Sequence, residues 1–177
     1  MTGFGLETPG EHSNQEDWIE LNQKAIGDIM CLRDIVDNFK TNYNSWEDDI
    51  VKLVYGPCLA NSSRFYRGTA YFRSSVLELY KQEVVDFCLS GGKIEIMTSY
   101  DLALKDVESM AEGYELRDME TLLEDMLDDE HLATPTKFLC TLIATGHLDI
   151  NIVHGGFYHD KVDFFQEDCK IHGDVET

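Results

Sequence analysis

Positive charge is what this sequence has least of. Its 177 residues hold 14 Lys and Arg against 34 Asp and Glu, a formal net charge of −20. That balance argues against a protein that coats nucleic acid through bulk charge, and leaves room for a local phosphate site. Long apolar runs are also missing. No stretch approaches the roughly 18 residues a membrane helix requires, so no transmembrane helix is expected. The first residues, Met1 to Gly5, lack a basic region leading into an apolar run, so no secretory signal is expected. Cysteine is present five times, at Cys31, Cys58, Cys88, Cys140 and Cys169. The odd number, wide spacing and lack of any C-x-x-C pair argue against a disulfide framework or zinc module. Reduced, mostly buried thiols in a cytoplasmic protein are the expectation. The chain also lacks G-x-x-x-x-G-K-[ST], G-x-S-x-G and G-x-G-x-x-G. Their absence removes a P-loop ATPase and the simplest hydrolase and dinucleotide readings.

What is present is ordinary globular material, 43% hydrophobic and 11% aromatic. It suits one domain, or one domain with an appendage. The charge is uneven. Residues 1–50 carry 3 basic and 11 acidic side chains, and residues 94–177 carry 5 and 20. Residues 51–93 carry 6 basic (Lys52, Arg64, Arg67, Arg73, Lys81, Lys93) and 3 acidic, a locally positive stretch in an acidic chain.

Residues 1–12 read as a loose tail, and Ser13 with Glu16 forms a capping box. Apolar residues from Trp18 to Tyr43 recur at helical spacing and predict a helix over about 15–44, broken near Gly27. Strands are predicted over 66–72, 93–98, 148–153 and 157–165. Helices are predicted over 76–89, stopped by Gly91-Gly92, and over 135–145, ended by Gly146. Two acidic helices, 101–112 and 115–129, are expected on either side of Gly113. Strands alternating with helices imply an α/β fold with a mixed, mainly parallel sheet flanked by helices, the last strands turning antiparallel. The expected organisation is a helical segment over 1–48 and an α/β domain over 49–177.

The residues most suited to chemistry are His159 and Lys161, in His159-Asp160-Lys161. On a strand the two side chains share a face. An imidazole beside an ammonium suits phosphoryl chemistry: the His attacks phosphorus and the Lys holds non-bridging oxygens. The bland alternative is a solvated strand-end pair. His154 is a secondary candidate, while His131 and His147 read as solvated helix-edge residues. His154, His159, Asp163 and His172 cluster in sequence, but an ammonium amid them disfavours a cation, so no metal is expected. Arg64, Arg67 and Arg73 flank the first strand and suit phosphate contacts, Arg67 foremost. Tyr66, Tyr71 and Phe72 suit either base stacking or a core. Ser74 and Ser75 are either polar site groups or helix caps. The acidic run 108–130 reads most simply as a solvated helix face, a partner-docking or nucleic-acid-mimicking surface being the alternative.

These segments together resemble the phospholipase D-like superfamily, whose signature is H-x-K-x4-D on a strand. They look closest to the phospholipase D-like domains beside DEAD/DEAH-type helicases and in nuclease or defence proteins. The resemblance covers about 50–177. It rests on Tyr66-Arg67-Gly68-Thr69-Ala70-Tyr71-Phe72-Arg73-Ser74-Ser75, on Gly91-Gly92-Lys93-Ile94, on Gly113-Tyr114-Glu115 and on Tyr158-His159-Asp160-Lys161. Two features depart from the pattern. Gln166 stands where the signature has Asp, with Glu167 and Asp168 beside it as carboxylates reachable by a short shift. Asp174 stands for Ser in a terminal Gly-Ser-x-Asn-like turn, and the second half of the fold is missing, as in a domain truncated at its C-terminus. The resemblance implies a phosphodiesterase or nuclease acting on nucleic acid, DNA above all, through a phosphohistidine and without cofactor or metal. His159 and Lys161 are then catalytic, and Arg67, Ser74 and Asp174 bind substrate. One H-x-K per chain implies a homodimer or a second motif in another chain, with a helicase as a further partner and no membrane. The alternative is an inactive domain serving as a binding or regulatory module.

Overall fold

The computed structural model describes residues 31–44, 46–117, 126, 130–154, 159 and 161–167. The chain divides into two units, Met1–Met30 and Cys31–Thr177, and every described residue lies in the second. The tail, the Ser13 capping box and half of the helix expected over 15–44 lie outside the described residues.

Four short alternating segments form the sheet: β1 (Arg64–Thr69), β2 (Lys93–Thr98), β3 (Leu148–Ile152) and β4 (Lys161–Gln166). Their order across the sheet is β3-β2-β1-β4. β1, β2 and β3 run parallel, and β4 is antiparallel to β1. The α/β class and the mainly parallel sheet thus agree with the sequence. Ahead of β1 come α1 (Leu32–Val36) and then a π-helical turn (Val51–Tyr55) running into α2 (Gly56–Ala60). A 3-10 helix (Ser74–Tyr80) runs into α3 (Lys81–Leu89) before β2, and α4 (Leu104–Arg117) and α5 (Pro135–Ala144) precede β3.

Both crossovers step the same way along the sheet, and right-handed crossovers then place their helices on one face. Burial agrees. Phe65, Ile94, Ile96, Leu148 and Ile150 point into the core with Phe72, Leu77, Val84, Phe87, Phe138, Leu142 and Ile143 from the helices. The opposite face stays open, with Phe164, Met97 and Val162 all exposed.

Several expectations need correction. The helix expected to run to 44 stops at Val36; Asn38 and Phe39 turn back on Ile35 and Val36 with tight N–H···O bonds. Beyond it, Asn44 and Asp48 side chains take backbone N–H groups and compete with helix. The helix expected over 76–89 starts at Ser74 and is 3-10 for its first seven residues. Its buried positions, Ser74, Leu77 and Tyr80, recur every third residue, the 3-10 repeat that lines one face.

Gly113 does not separate two helices, because α4 runs through it. A Cβ there would sit 2.8 Å from Ile143 Cβ and 2.9 Å from the Cys140 carbonyl oxygen, so the glycine lets α4 and α5 approach closely. The second acidic helix lies almost wholly outside the described residues. Gly91 and Gly146 end helices as expected, at φ of +92° and +70°.

Arg117 fastens the far end of α4. It reaches the carbonyl oxygens of Ile143 and Leu148 and pairs with Asp149 at 2.6 Å. The Tyr114 hydroxyl accepts the N–H of Ile150 at 3.0 Å, satisfying an edge-strand donor.

Candidate functional site

The strand registers divide the helix-covered face into three transverse rows. The innermost is wholly apolar: Leu148, Ile94, Phe65 and Phe165. The next is half polar: Ile150, Ile96, Arg67 and Asp163. The last, at the carboxyl ends of the parallel strands, is Ile152, Thr98, Thr69 and Lys161. Polarity therefore rises toward the strand ends where open α/β sheets place ligands.

Lys161 occupies the end of that last row. It is the first residue of β4, it is exposed, and it makes no ion pair among the described residues. His159 lies two residues earlier, exposed and outside the strand, which corrects the expected strand over 157–165. β1 ends at Thr69, the partner of Lys161, and the β1–β4 ladder ends with that pair. His154 is exposed beyond the end of β3, at the same end of the sheet but on the edge strand opposite β4. Among the described residues the buried Thr98 hydroxyl finds no hydrogen-bond partner, while Thr69 donates to the Tyr71 carbonyl oxygen at 3.0 Å.

The other expected site residues are occupied elsewhere. Ser74 is 1% exposed. Its hydroxyl donates to Asp106 Oδ1 at 2.6 Å and its backbone N–H reaches Asp106 Oδ2 at 3.2 Å. Asp106 itself is fully buried in the first turn of α4, so the pair ties the end of β1 to the segment after β2. Arg67 lies one row in from the strand ends. Its guanidinium reaches Asp163 Oδ2 at 3.2 Å and the Tyr55 hydroxyl at 3.2 Å, and Tyr55 donates to the same Asp163 oxygen at 2.6 Å. A cation half-buried in an apolar core needs such a partner, which turns Arg67 away from solvent.

Arg73 spans the two loops after β1 and β2, donating to the carbonyl oxygens of Phe72 and Asp101 at 2.7 and 2.8 Å. Arg64 pairs with Glu95 at 3.6 Å on the open face. Gln166 and Glu167 lie at the opposite end of β4, about 17 Å from Lys161 at strand rise, where Glu167 accepts the Leu32 N–H. Asp168, the other carboxylate of the expected shift, lies outside the described residues. Asp174 lies outside the described residues.

Tyr80 completes the surroundings of Arg67. It stacks on Tyr55 with centroids 4.9 Å apart, and its buried hydroxyl lies against the Arg67 guanidinium. Burial pushes the Tyr80 phenol up to about 12. Burial works against the Arg67 charge, yet Tyr80, Asp163 and Tyr55 outweigh it and hold the guanidinium above its ordinary value. Burial also pushes Cys58 and Cys140 up to about 11 and Cys88 to about 12, so these free thiols stay protonated. Phe72 is core, whereas Tyr71 is half exposed.

Thr69 and Thr98 were not singled out in sequence as site-forming residues, and Asp163 was weighed only as part of a metal cluster. A signal existed: β1 and β2 both end in Thr followed by a small residue, at paired positions of parallel strands. Among the described residues no cluster of His, Cys, Asp and Glu could hold a metal ion, and no helix is long and apolar enough to cross a membrane. Compared with protein-family models, curated proteins and solved structures, the chain matches none.

Proposed function

We propose that this chain carries a phospholipase D-like half-site for phosphodiester hydrolysis on nucleic acid, with His159 and Lys161 as its reacting and anion-holding groups. The supporting observation is the position of Lys161: exposed, without an ion pair among the described residues, at the carboxyl ends of three parallel strands. A mixed, mainly parallel α/β sheet flanked by helices is compatible with such a half-domain. The chemistry is a double displacement. An imidazole nitrogen of His159 attacks phosphorus, and the bond to the leaving oxygen breaks. A second imidazole, from the H-x-K of another copy, gives that oxygen its proton. The same imidazole then takes a proton from water, which attacks the phosphohistidine and frees His159. The Lys161 ammonium offsets charge on the non-bridging oxygens throughout.

The second reading, a binding or regulatory module without turnover, draws on a specific observation. Arg67 and Ser74 are both engaged inside the fold, and Gln166 replaces the acidic residue of the signature. Hydrolysis of a labelled oligonucleotide by the parent and by His159→Ala separates the two. The half-site reading expects turnover that falls by roughly 10² or more in the variant. Equal rates overturn it.

A further inference from the structure

Arg67 stands in the locally basic stretch that the sequence offered for phosphate binding, yet its geometry suits a different task. It sits one row in from the strand ends, its side chain 20% exposed, beneath Tyr55 and beside Tyr80. Its guanidinium and the Tyr55 hydroxyl converge on one oxygen of Asp163. Asp163 and Lys161 lie two residues apart on β4 and face the same way, because they pair with Arg67 and Thr69 on β1. Their Cα atoms are thus roughly 7 Å apart at strand rise, within reach of a four-carbon ammonium arm. Without Arg67, a half-buried Asp163 carboxylate needs another cation. The other side chains flanking it on that face, Phe65 and Thr69 of β1 and Phe165 of β4, carry no charge.

We infer that Arg67 serves the anion site indirectly, as a positioning residue. It holds Asp163 so that the Lys161 ammonium stays available to a phosphate group. This rests on the reading of Lys161 as the anion-holding group. The arrangement explains why an acidic residue two positions from that lysine does not cancel it. It also sets the register of β4, since the Arg67–Asp163 pair sits opposite in the ladder.

The test is titration of the full chain with inorganic phosphate at low ionic strength, with circular dichroism to confirm folding. The variants are Lys161→Ala, Arg67→Met, Arg67→Lys, Asp163→Asn and the double variant Arg67→Met/Asp163→Asn. Lys161→Ala is expected to lose binding. Arg67→Met is expected to weaken it about tenfold, since its lysine becomes paired. Asp163→Asn binds as tightly as the parent or tighter. The double variant recovers the parent affinity to within about threefold, an order too small to reflect a lost charge-assisted contact. Arg67→Lys keeps a cation on Asp163 and keeps binding; with the double variant it carries the test if Arg67→Met does not fold. A double variant weaker than that bound means that Arg67 touches the anion itself and overturns the inference. So does parent-like binding by Arg67→Met, or loss in Arg67→Lys. If Lys161→Ala binds as the parent does, or the parent binds no phosphate, the reading of Lys161 falls, and the inference with it.

Discussion

Replacing Ser74 by alanine separates a substrate contact from a structural tie. The Ser74 hydroxyl and the Asp106 carboxyl meet at 2.6 Å, and both residues are at most 1% exposed. Water cannot take the place of the lost hydroxyl without entering the core. Asp106 would keep only the backbone N–H of Ser74, at 3.2 Å. Losing one donor to a buried acceptor costs about 2 kcal/mol, which lowers the Tm of a unit this size by roughly 4–8 °C. The expected outcome in a thermal melt and a urea titration is therefore a clear loss of stability. Phosphate affinity should stay unchanged, because the hydroxyl points into the fold. Combining Ser74→Ala with Asp106→Asn should cost less than the sum of the single changes, by about 0.5–3 kcal/mol for residues in direct contact. A Ser74→Ala protein that melts like the parent but binds phosphate less tightly would refute this reasoning and return Ser74 to the substrate.

Three further outcomes follow from the packing. The buried thiols of Cys58, Cys88 and Cys140 and the Tyr80 phenol titrate above their unfolded values. The folded chain holds these protons at pH values where the unfolded chain has released them, from about 8.5 for Cys and about 10 for Tyr. Their contribution is complete below about pH 8.5 and is lost as pH climbs toward 11 and 12, so the urea midpoint should fall between pH 8.5 and 11; a flat or rising midpoint contradicts the burial. Gly113→Ala gains about 1 kcal/mol of helix propensity but forces a Cβ into α5, a cost of about 1–3 kcal/mol; the urea midpoint should drop, and a rise would mean that the helices do not meet there. Tyr114→Phe strands the Ile150 N–H and should cost about 1 kcal/mol by the same titration, whereas an unchanged midpoint would show that water reaches that donor.

The sequence was most legible where pattern and punctuation agree. β2 matches its expected bounds because Lys93-Ile94-Glu95-Ile96-Met97-Thr98 alternates and follows two glycines. α5 matches within a residue because Thr134 caps it, Pro135 starts it and Gly146 ends it. Legibility failed where a residue's reason is tertiary. Gly113 reads locally as a helix breaker, and only the neighbouring α5 reveals it as a contact point. The start of β4 is set by where β1 runs out, which no local pattern records. The same holds for the site. His159 and Lys161 stand two residues apart in the chain, but the partners of Arg67 and Ser74 lie 96 and 32 residues away. Basic and hydroxylic side chains near a strand were read as ligand groups because the carboxyls that occupy them are distant in the chain.

If His159 is the nucleophile, a phosphohistidine forms during turnover, and covalent trapping detects it. The parent protein is mixed with a labelled oligonucleotide, quenched within a turnover and digested for mass analysis. A phosphoryl adduct is expected on the peptide that carries His159, absent from His159→Ala, which also fails to turn over. Hydrolysis by His159→Ala at the parent rate would contradict it.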